Sequence, residues 1–226
     1  MIRRSKRYKE SGKQLDLTKT YSLKEAISSL KKLPPPKFDG SVDLHFHLNV
    51  DLKKSDQMVR GTVTLPHGTG RQVRVAVFCK GEQERIAKDA QADYVGANDL
   101  IDKVAGGFLD FDCAIATPEM MKELAKLGKI LGPRGLMPSP KTGTVTNDVV
   151  KAIEDVKKGK VEFRIDKQGG IHLSVGKISF DEAKLYENAS KVIEAISEAR
   201  PSSVKGKFMG GLFISSTMNP GLEVTL

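Results

Sequence analysis

Residues 73–79 read V-R-V-A-V-F-C, and the reading of this stretch decides the fold. A near-continuous apolar run of this length is that of a strand buried on both faces. Such a strand needs helices above and below it, and the surrounding sequence offers them. Glu82 to Ala90 is a helical stretch. Ala92 to Gly96 (A-D-Y-V-G) is a second short strand, Asp99 to Ala105 a second helix, and Phe111 to Ala116 (F-D-C-A-I-A) a third strand. T-P-E-M-M-K-E-L opens a third helix, with Thr117 as N-cap and Pro118 at the first helical position. Repeated β-α units predict a parallel sheet with helices on both faces, a three-layer α/β unit.

Outward from this middle third the pattern changes. S-V-D-L-H-F-H-L-N-V places apolar residues at 42, 44, 46, 48 and 50, the period of a strand with one wet face. V-E-F-R-I (161–165) and I-H-L-S-V (171–175) repeat that alternation around D-K-Q-G-G, which predicts an antiparallel hairpin. Asp181 to Glu198 is an amphipathic helix with Leu185, Ala189, Val192, Ile193 and Ile196 on one stripe, and a last strand falls around Gly211 to Ser216. Residues 1–66 supply two strands and one helix (Ser22 to Lys31), too little for a core of their own. The economical solution is a two-domain α/β chain. Residues 1–66 and 157–226 form one split α+β domain, interrupted by an inserted domain at 67–156. The two crossings, near Leu65-Pro66-His67 and Lys157 to Lys160, would form a hinge.

Charge divides the chain in the same way. The net charge of +9 distributes as +7 over residues 1–66, −1 over 67–156 and +3 over 157–226. A surface for a polyanion would therefore be built from both ends. The basic arm M-I-R-R-S-K-R-Y-K-E is either a solvated tail or a nucleic-acid contact, and it lacks the apolar segment of a secretory signal. No stretch is long and apolar enough for a membrane span, so no membrane partner is expected. Cys79 and Cys113 each sit in an apolar run and read as buried thiols. His45 and His47 share the wet face of their strand and read as a polar surface pair, while His67 and His172 flank turns. No Cys/His cluster has metal-ligand spacing, so neither metal nor cofactor is expected.

One stretch imitates a nucleotide site. G-L-M-P-S-P-K-T (135–142) matches the phosphate-loop pattern except that Pro140 stands in place of the second glycine. Proline has no N–H to offer a phosphate and cannot take positive φ. Thr142 then leads into G-T-V-T-N, with the next helix expected only near Asn147 or Asp148. The stretch reads as a long stiff loop of the inserted domain. With no nucleophile elbow and no acid/base pair elsewhere, no enzyme is expected.

The longer run L-G-K-I-L-G-P-R-G-L-M-P-S-P-K-T-G-T-V resembles the signature of the ribosomal large-subunit protein L-one family. So, in order, do K-F-D-G-S-V-D (37–43), S-D-Q-M-V-R-G-T-V-T-L-P-H-G-T-G (55–70) and S-S-T-M (215–218). The resemblance covers nearly the whole chain. It implies a split domain that binds a stem-loop of large-subunit rRNA, an inserted Rossmann-like three-layer α/β domain, a mobile stalk in the ribosome of the cytoplasm or an organelle matrix, and a monomer when free. It implies contact with deacylated tRNA at the exit site, whose release it helps, and repression of its own mRNA. It places RNA contacts on Lys37, Phe38, Ser41 and Asp43, on Arg164, Asp166 and Lys167, and on Ser215, Ser216, Thr217 and Met218. Taken alone, Phe38 reads as a core residue, Thr217 as a strand-end cap and Arg164 as a wet-face charge. Three positions depart from the family pattern: Gly40 for an acidic residue, Ile165 for an asparagine and Asn219 for a glycine. Asn219 is expected to keep the turn by tolerating positive φ. Arg134 and Lys141 face RNA, tRNA or the other domain.

Overall fold

In the computed structural model, which describes residues 5–225, the chain is mixed α/β and forms two compact units. One joins the described residues up to Gly70 with those from Val161 onward; the other is Arg71–Lys160. In chain order the elements are α1 (Lys6–Gln14), β1 (Thr20–Tyr21), α2 (Leu23–Lys32), β2 (Ser41–Leu48), β3 (Arg60–Thr64), β4 (Val75–Phe78), α3 (Glu82–Asp89), β5 (Tyr94–Gly96), α4 (Asn98–Ala105) and β6 (Cys113–Ala116). The single turns α5 (Met121–Leu124) and α6 (Gly128–Leu131) follow, then α7 (Val149–Lys157), β7 (Lys160–Arg164), β8 (Gly170–Lys177), α8 (Glu182–Glu198), β9 (Met209–Ser216) and β10 (Leu222–Val224).

The unit from Arg71 to Lys160 is centred on a parallel sheet of order β5-β4-β6. Alternation along β4 feeds two cores. Ala76 and Phe78 pack with Leu100, Val104 and Leu124 on one face, and Val75 and Val77 with Ala87, Ile153 and Val156 on the other. All four β4 residues are inaccessible to solvent, as the apolar run predicts for a strand covered twice. Cys79, at the end of this run, is buried, and that burial pushes its thiol up to about 11; Cys113 is only half-buried.

The helix expected from Thr117 is broken up. Thr117 does hold the N-cap position of a 3₁₀ turn, but its side chain makes no capping bond. From Pro118 to Leu131 the chain alternates 3₁₀ and α turns. It stops at Gly132, where a Cβ would lie 2.5 Å from the Gly128 carbonyl oxygen. Beyond it, Lys141 and Thr142 lie in a 3₁₀ turn, Pro140–Thr142, that ends at Gly143 with φ 67°. The next helix, α7, begins only at Val149, capped by the Asp148 carboxylate, which accepts from the Lys151 N–H at 3.2 Å. The geometry of a phosphate loop is thus missing here on both sides of the lysine.

The other unit carries a five-stranded sheet of order β1-β10-β9-β2-β8, antiparallel except for the β1–β10 pair. Val42, Leu44, Phe46 and Leu48 of β2 point into a core completed by Ile171, Leu173, Leu212 and Ile214. Two helices close that core. α2 starts with a capping box, in which Ser22 and Glu25 exchange side-chain and backbone bonds. α8 buries Leu185, Ala189, Val192 and Ile196, with Ile193 partly covered.

The hairpin predicted for 161–165 and 171–175 does not form. β7 pairs with β3 in a separate two-stranded sheet, while β8 joins the main sheet beside β2. Both segments are half apolar, and both bury that half in one core from different sheets: Phe163 and Ile165 from one, Ile171 and Leu173 from the other. The turn signal D-K-Q-G-G therefore links two sheets instead of two neighbouring strands. A second correction concerns the basic arm. Its residues 1–4 lie outside the described residues, but Lys6–Gln14 form a helix and not a tail.

Candidate nucleic-acid interface

Through the middle of β2, β8 and β9, every second residue leaves the core. Asp43, His45 and His47 of β2, His172 and Ser174 of β8, and Phe213 and Ser215 of β9 lie on the face away from the core, half-buried or exposed. Apart from Ser216, the family-predicted residues sit along this face and at its two ends.

At one end, segments 176 residues apart interlock. The Ser41 N–H donates to Thr217 Oγ1 at 2.8 Å, and the Thr217 N–H and hydroxyl donate to the Ser41 carbonyl at 2.9 and 3.2 Å. A Cβ at Gly40 would meet Pro36 and Thr217 at 3.4 Å, ordinary van der Waals contact, so the interlock does not depend on glycine there. Thr217 is thus more than a strand-end cap, since it fixes the K-F-D-G-S segment. Lys37 and Phe38 precede that clamp and are exposed, Phe38 by 54%, so the core reading of Phe38 is overturned. Met218 is 63% exposed and takes φ 64°, so the left-handed position of this turn belongs to Met218 and not to Asn219. Asn219 instead holds the turn by its side chain, whose Nδ2 donates to Ser216 Oγ at 2.9 Å. Ser216 itself is 2% exposed and points into the protein; the interface does not include its hydroxyl. Lys177, which sequence patterns did not mark, joins the cluster by donating to Ser41 Oγ at 3.0 Å.

Arg164, Asp166 and Lys167 are exposed at the opposite end, where β8 begins beside His47. Six residues of β2 separate the ends, roughly 20 Å at strand rise. Asp166 organises its own turn: Oδ1 accepts from the Gln168 and Gly170 N–H groups at 2.8 and 2.7 Å. Those bonds, that from Gly170 first, hold its carboxyl below the usual aspartate range, with His172 adding to them. Ile165, the departure beside it, is buried in the core at 5% exposure, so its side chain offers nothing to a ligand.

A line of polar contacts runs between the two ends. His172 Nε2 is 3.6 Å from Asp166 Oδ2, His172 Nδ1 is 2.9 Å from His45 Nδ1, and His45 Nε2 is 2.9 Å from Ser215 Oγ. One assignment of hydrogens satisfies both hydrogen bonds: Ser215 donates to His45 Nε2 and His45 Nδ1 donates to His172 Nδ1, which leaves His172 Nε2 facing the Asp166 carboxylate at 3.6 Å. Burial above all, with the neighbouring His172 second, pushes the His45 imidazole below its ordinary value; Asp43 opposes this. His172 lies in β8 just past the turn, as read, and partners His45; His45 and His47 share the wet face of β2. Phe213, across from His45 in register and 38% exposed, is the aromatic of this face that sequence reading missed. Its only sequence signal was its place in the alternation of β9.

What such a face can do is set by its chemistry: cations at both ends for phosphates, hydroxyls and imidazoles between for sugar hydroxyls, and exposed apolar side chains for bases or ribose. Residues 27–220 match the model of the ribosomal protein L1p/L10e family. Proteins described as large ribosomal subunit protein uL1 are similar over nearly their whole length. That of Thermosipho melanesiensis is 55% identical over 225 residues, covering 99% of this chain and 97% of the relative. That of the Aster yellows witches'-broom phytoplasma is 53% identical, with 99% and 97% covered, and that of Protochlamydia amoebophila 53%, with 100% and 96%. The chain belongs to the ribosomal protein L1p/L10e family. It is a structural protein of the ribosome and not an enzyme.

Proposed function

We propose that this chain binds a stem-loop of large-subunit rRNA through the open sheet face of the unit built from its two ends, and so forms the stalk beside the tRNA exit site. The observation that carries this reading is the interlock of Ser41 with Thr217. It gathers Lys37, Phe38, Ser41, Thr217 and Met218 from distant segments at one sheet end, with nothing in the core to require the exposed members. Arg164, Asp166 and Lys167 hold the far end, and Asp43 and Ser215 lie between. In an A-form helix the shallow minor groove presents 2′-hydroxyls and phosphates, which suits a face of hydroxyls, imidazoles and flanking cations. A stem-loop of like shape in the chain's own mRNA would meet the same groups, which supports repression of its own translation. Contact with deacylated tRNA, and help in its release, belongs to the assembled stalk; Arg134 and Lys141, both exposed, are cations suited to it.

The test is a gel shift with the stalk stem-loop of large-subunit rRNA and an unrelated RNA duplex, titrated with salt. The stem-loop should bind far more tightly, and Lys37→Gln should lower both affinity and salt dependence. Equal affinity for the two RNAs at matched salt would refute specific recognition.

A further inference from the structure

We infer that α1, the helix of the basic N-terminal arm, is a docked extension of the RNA-binding surface that places a stripe of lysines on the phosphates flanking the T-M-N turn. This rests on the RNA reading above.

The anchor is a buried polar pair. Ser11, in the middle of α1, has no solvent exposure and donates its hydroxyl to Asn219 Oδ1 at 3.1 Å. Asn219, 9% exposed, passes the contact on through Nδ2 to Ser216 Oγ at 2.9 Å, and its N–H donates to the Ser216 carbonyl at 2.9 Å. A buried hydroxyl–amide contact is costly to leave half made, so it fixes the helix on the turn that presents Thr217 and Met218. Leu15, just past the helix, packs on the main core and holds the other end.

The helix so anchored is strongly cationic: Lys6, Arg7, Lys9 and Lys13 face a single carboxylate, Glu10. At 100° per residue, Lys6, Lys9 and Lys13 fall within about 60° of one another, on the side opposite Ser11. All three are exposed, while Arg7 on the docked side is half-buried. A helix held by its polar face with three lysines outward needs no such stripe for folding. An RNA helix is wide enough to lie on the Thr217–Met218 turn and still reach the outer side of a helix seated against it. Its charge complements the stripe, and the stripe continues the interface already described.

The experiment uses the full chain and the stalk stem-loop RNA. Replacing Lys6, Lys9 and Lys13 with glutamine should weaken binding roughly tenfold near 0.1 M salt and lower the slope of log affinity against log salt by about two to three. The triple Lys→Arg variant should keep both. Ser11→Ala, which releases the anchor, should itself lower the slope, and in its background the three glutamines should cost much less than in the wild type. If the glutamine variant keeps the wild-type slope while Lys37→Gln lowers it, α1 is only a solvated helix and the inference fails, with the RNA reading intact. Full additivity of Ser11→Ala with the glutamines would show that the anchor does not position the lysines. If wild type does not prefer the stem-loop to the unrelated duplex, the RNA reading falls and this inference with it.

Discussion

The two units each centre on a sheet, and the difference lies in what covers it. In Arg71–Lys160, Ala76 and Phe78 feed one core and Val75 and Val77 another, so the parallel sheet has no face to offer. In the unit built from both ends, one face of the sheet packs under α2 and α8, and the other presents Asp43, His45, His172, Phe213 and Ser215. A sheet covered twice must be apolar on both sides, whereas a sheet covered once is free to carry chemistry on alternate residues. The largest expected effect tests that contrast directly. A chain in which residues 71–160 are replaced by a short flexible linker should bind the stem-loop within a few-fold of wild type. Residues 71–160 alone should lose about a thousandfold or more, the usual gap between specific and non-specific nucleic-acid binding. The reverse ranking, measured by the same gel shift, would move the interface to the covered sheet.

The contrast sharpens at neighbouring residues of one strand. Leu212 is buried at 1% exposure and Phe213 is 38% exposed, on opposite faces of β9. Leu212→Ala should destabilise the chain by about 2–5 kcal/mol in urea unfolding, through lost burial and a cavity. Phe213→Ala should leave the unfolding midpoint almost unchanged and weaken RNA binding by about 1–3 kcal/mol, the range of an aromatic contact to a base. If both substitutions act on stability alone, the open face is only a surface.

How much of this was legible depended on whether a feature is written in one segment or shared by two. The both-face burial of β4 is local, and V-R-V-A-V-F-C announces it; the same holds for α8, whose stripe from Leu185 to Ile196 was read residue by residue. The sequence pattern puts the crossings near residues 65–67 and 157–160; the units divide after Gly70 and after Lys160. The partner of a strand is not local. Nothing within V-E-F-R-I says that β7 prefers β3 to β8, because both choices bury Phe163. In the interface, the residue types came from the family motifs, but their burial did not. Ser215 and Ser216 are adjacent, yet the pleat sends one outward and the other to Asn219. Lys177 carries no signal of its own and Phe213 only its place in an alternation, since their roles come from strands brought alongside β2.

Thr217 joins the two functions that the previous pair separates. Its hydroxyl both accepts from the Ser41 N–H and donates to the Ser41 carbonyl. Thr217→Ala removes both, so it should cost about 1–2 kcal/mol of stability as well as RNA affinity. Thr217→Ser keeps the hydroxyl and should recover most of each. A loss of affinity with no shift in the unfolding midpoint would mean that Thr217 acts on RNA alone and that Ser41 is held by other means.

The smallest effect separates the units by pH. All four histidines, His45, His47, His67 and His172, belong to the unit built from both ends, and Arg71–Lys160 contains none. His45 is the one whose imidazole is held below its ordinary value of 6.5, by burial and by His172. The groups facing it are His172, Asp43 and Ser215, with Asp166 behind His172. Between the lowered folded value and 6.5, the unfolded chain binds more protons than the folded one. Stability therefore rises with pH across that window; it is full above about 6.5 and falls as the solution is acidified. The depressed Asp166 contributes in the same direction but only below its ordinary 3.8, so the two windows do not overlap near pH 6. Urea midpoints measured from pH 7.5 to pH 5 should fall for the unit carrying the histidines and stay level for residues 71–160. His45→Asn should flatten the fall, because the ring that must remain neutral between Ser215 and His172 is gone. An unchanged slope in that variant would show that His45 is not the source of the pH dependence, and the contacts running from Ser215 through His45 to His172 would lose their support.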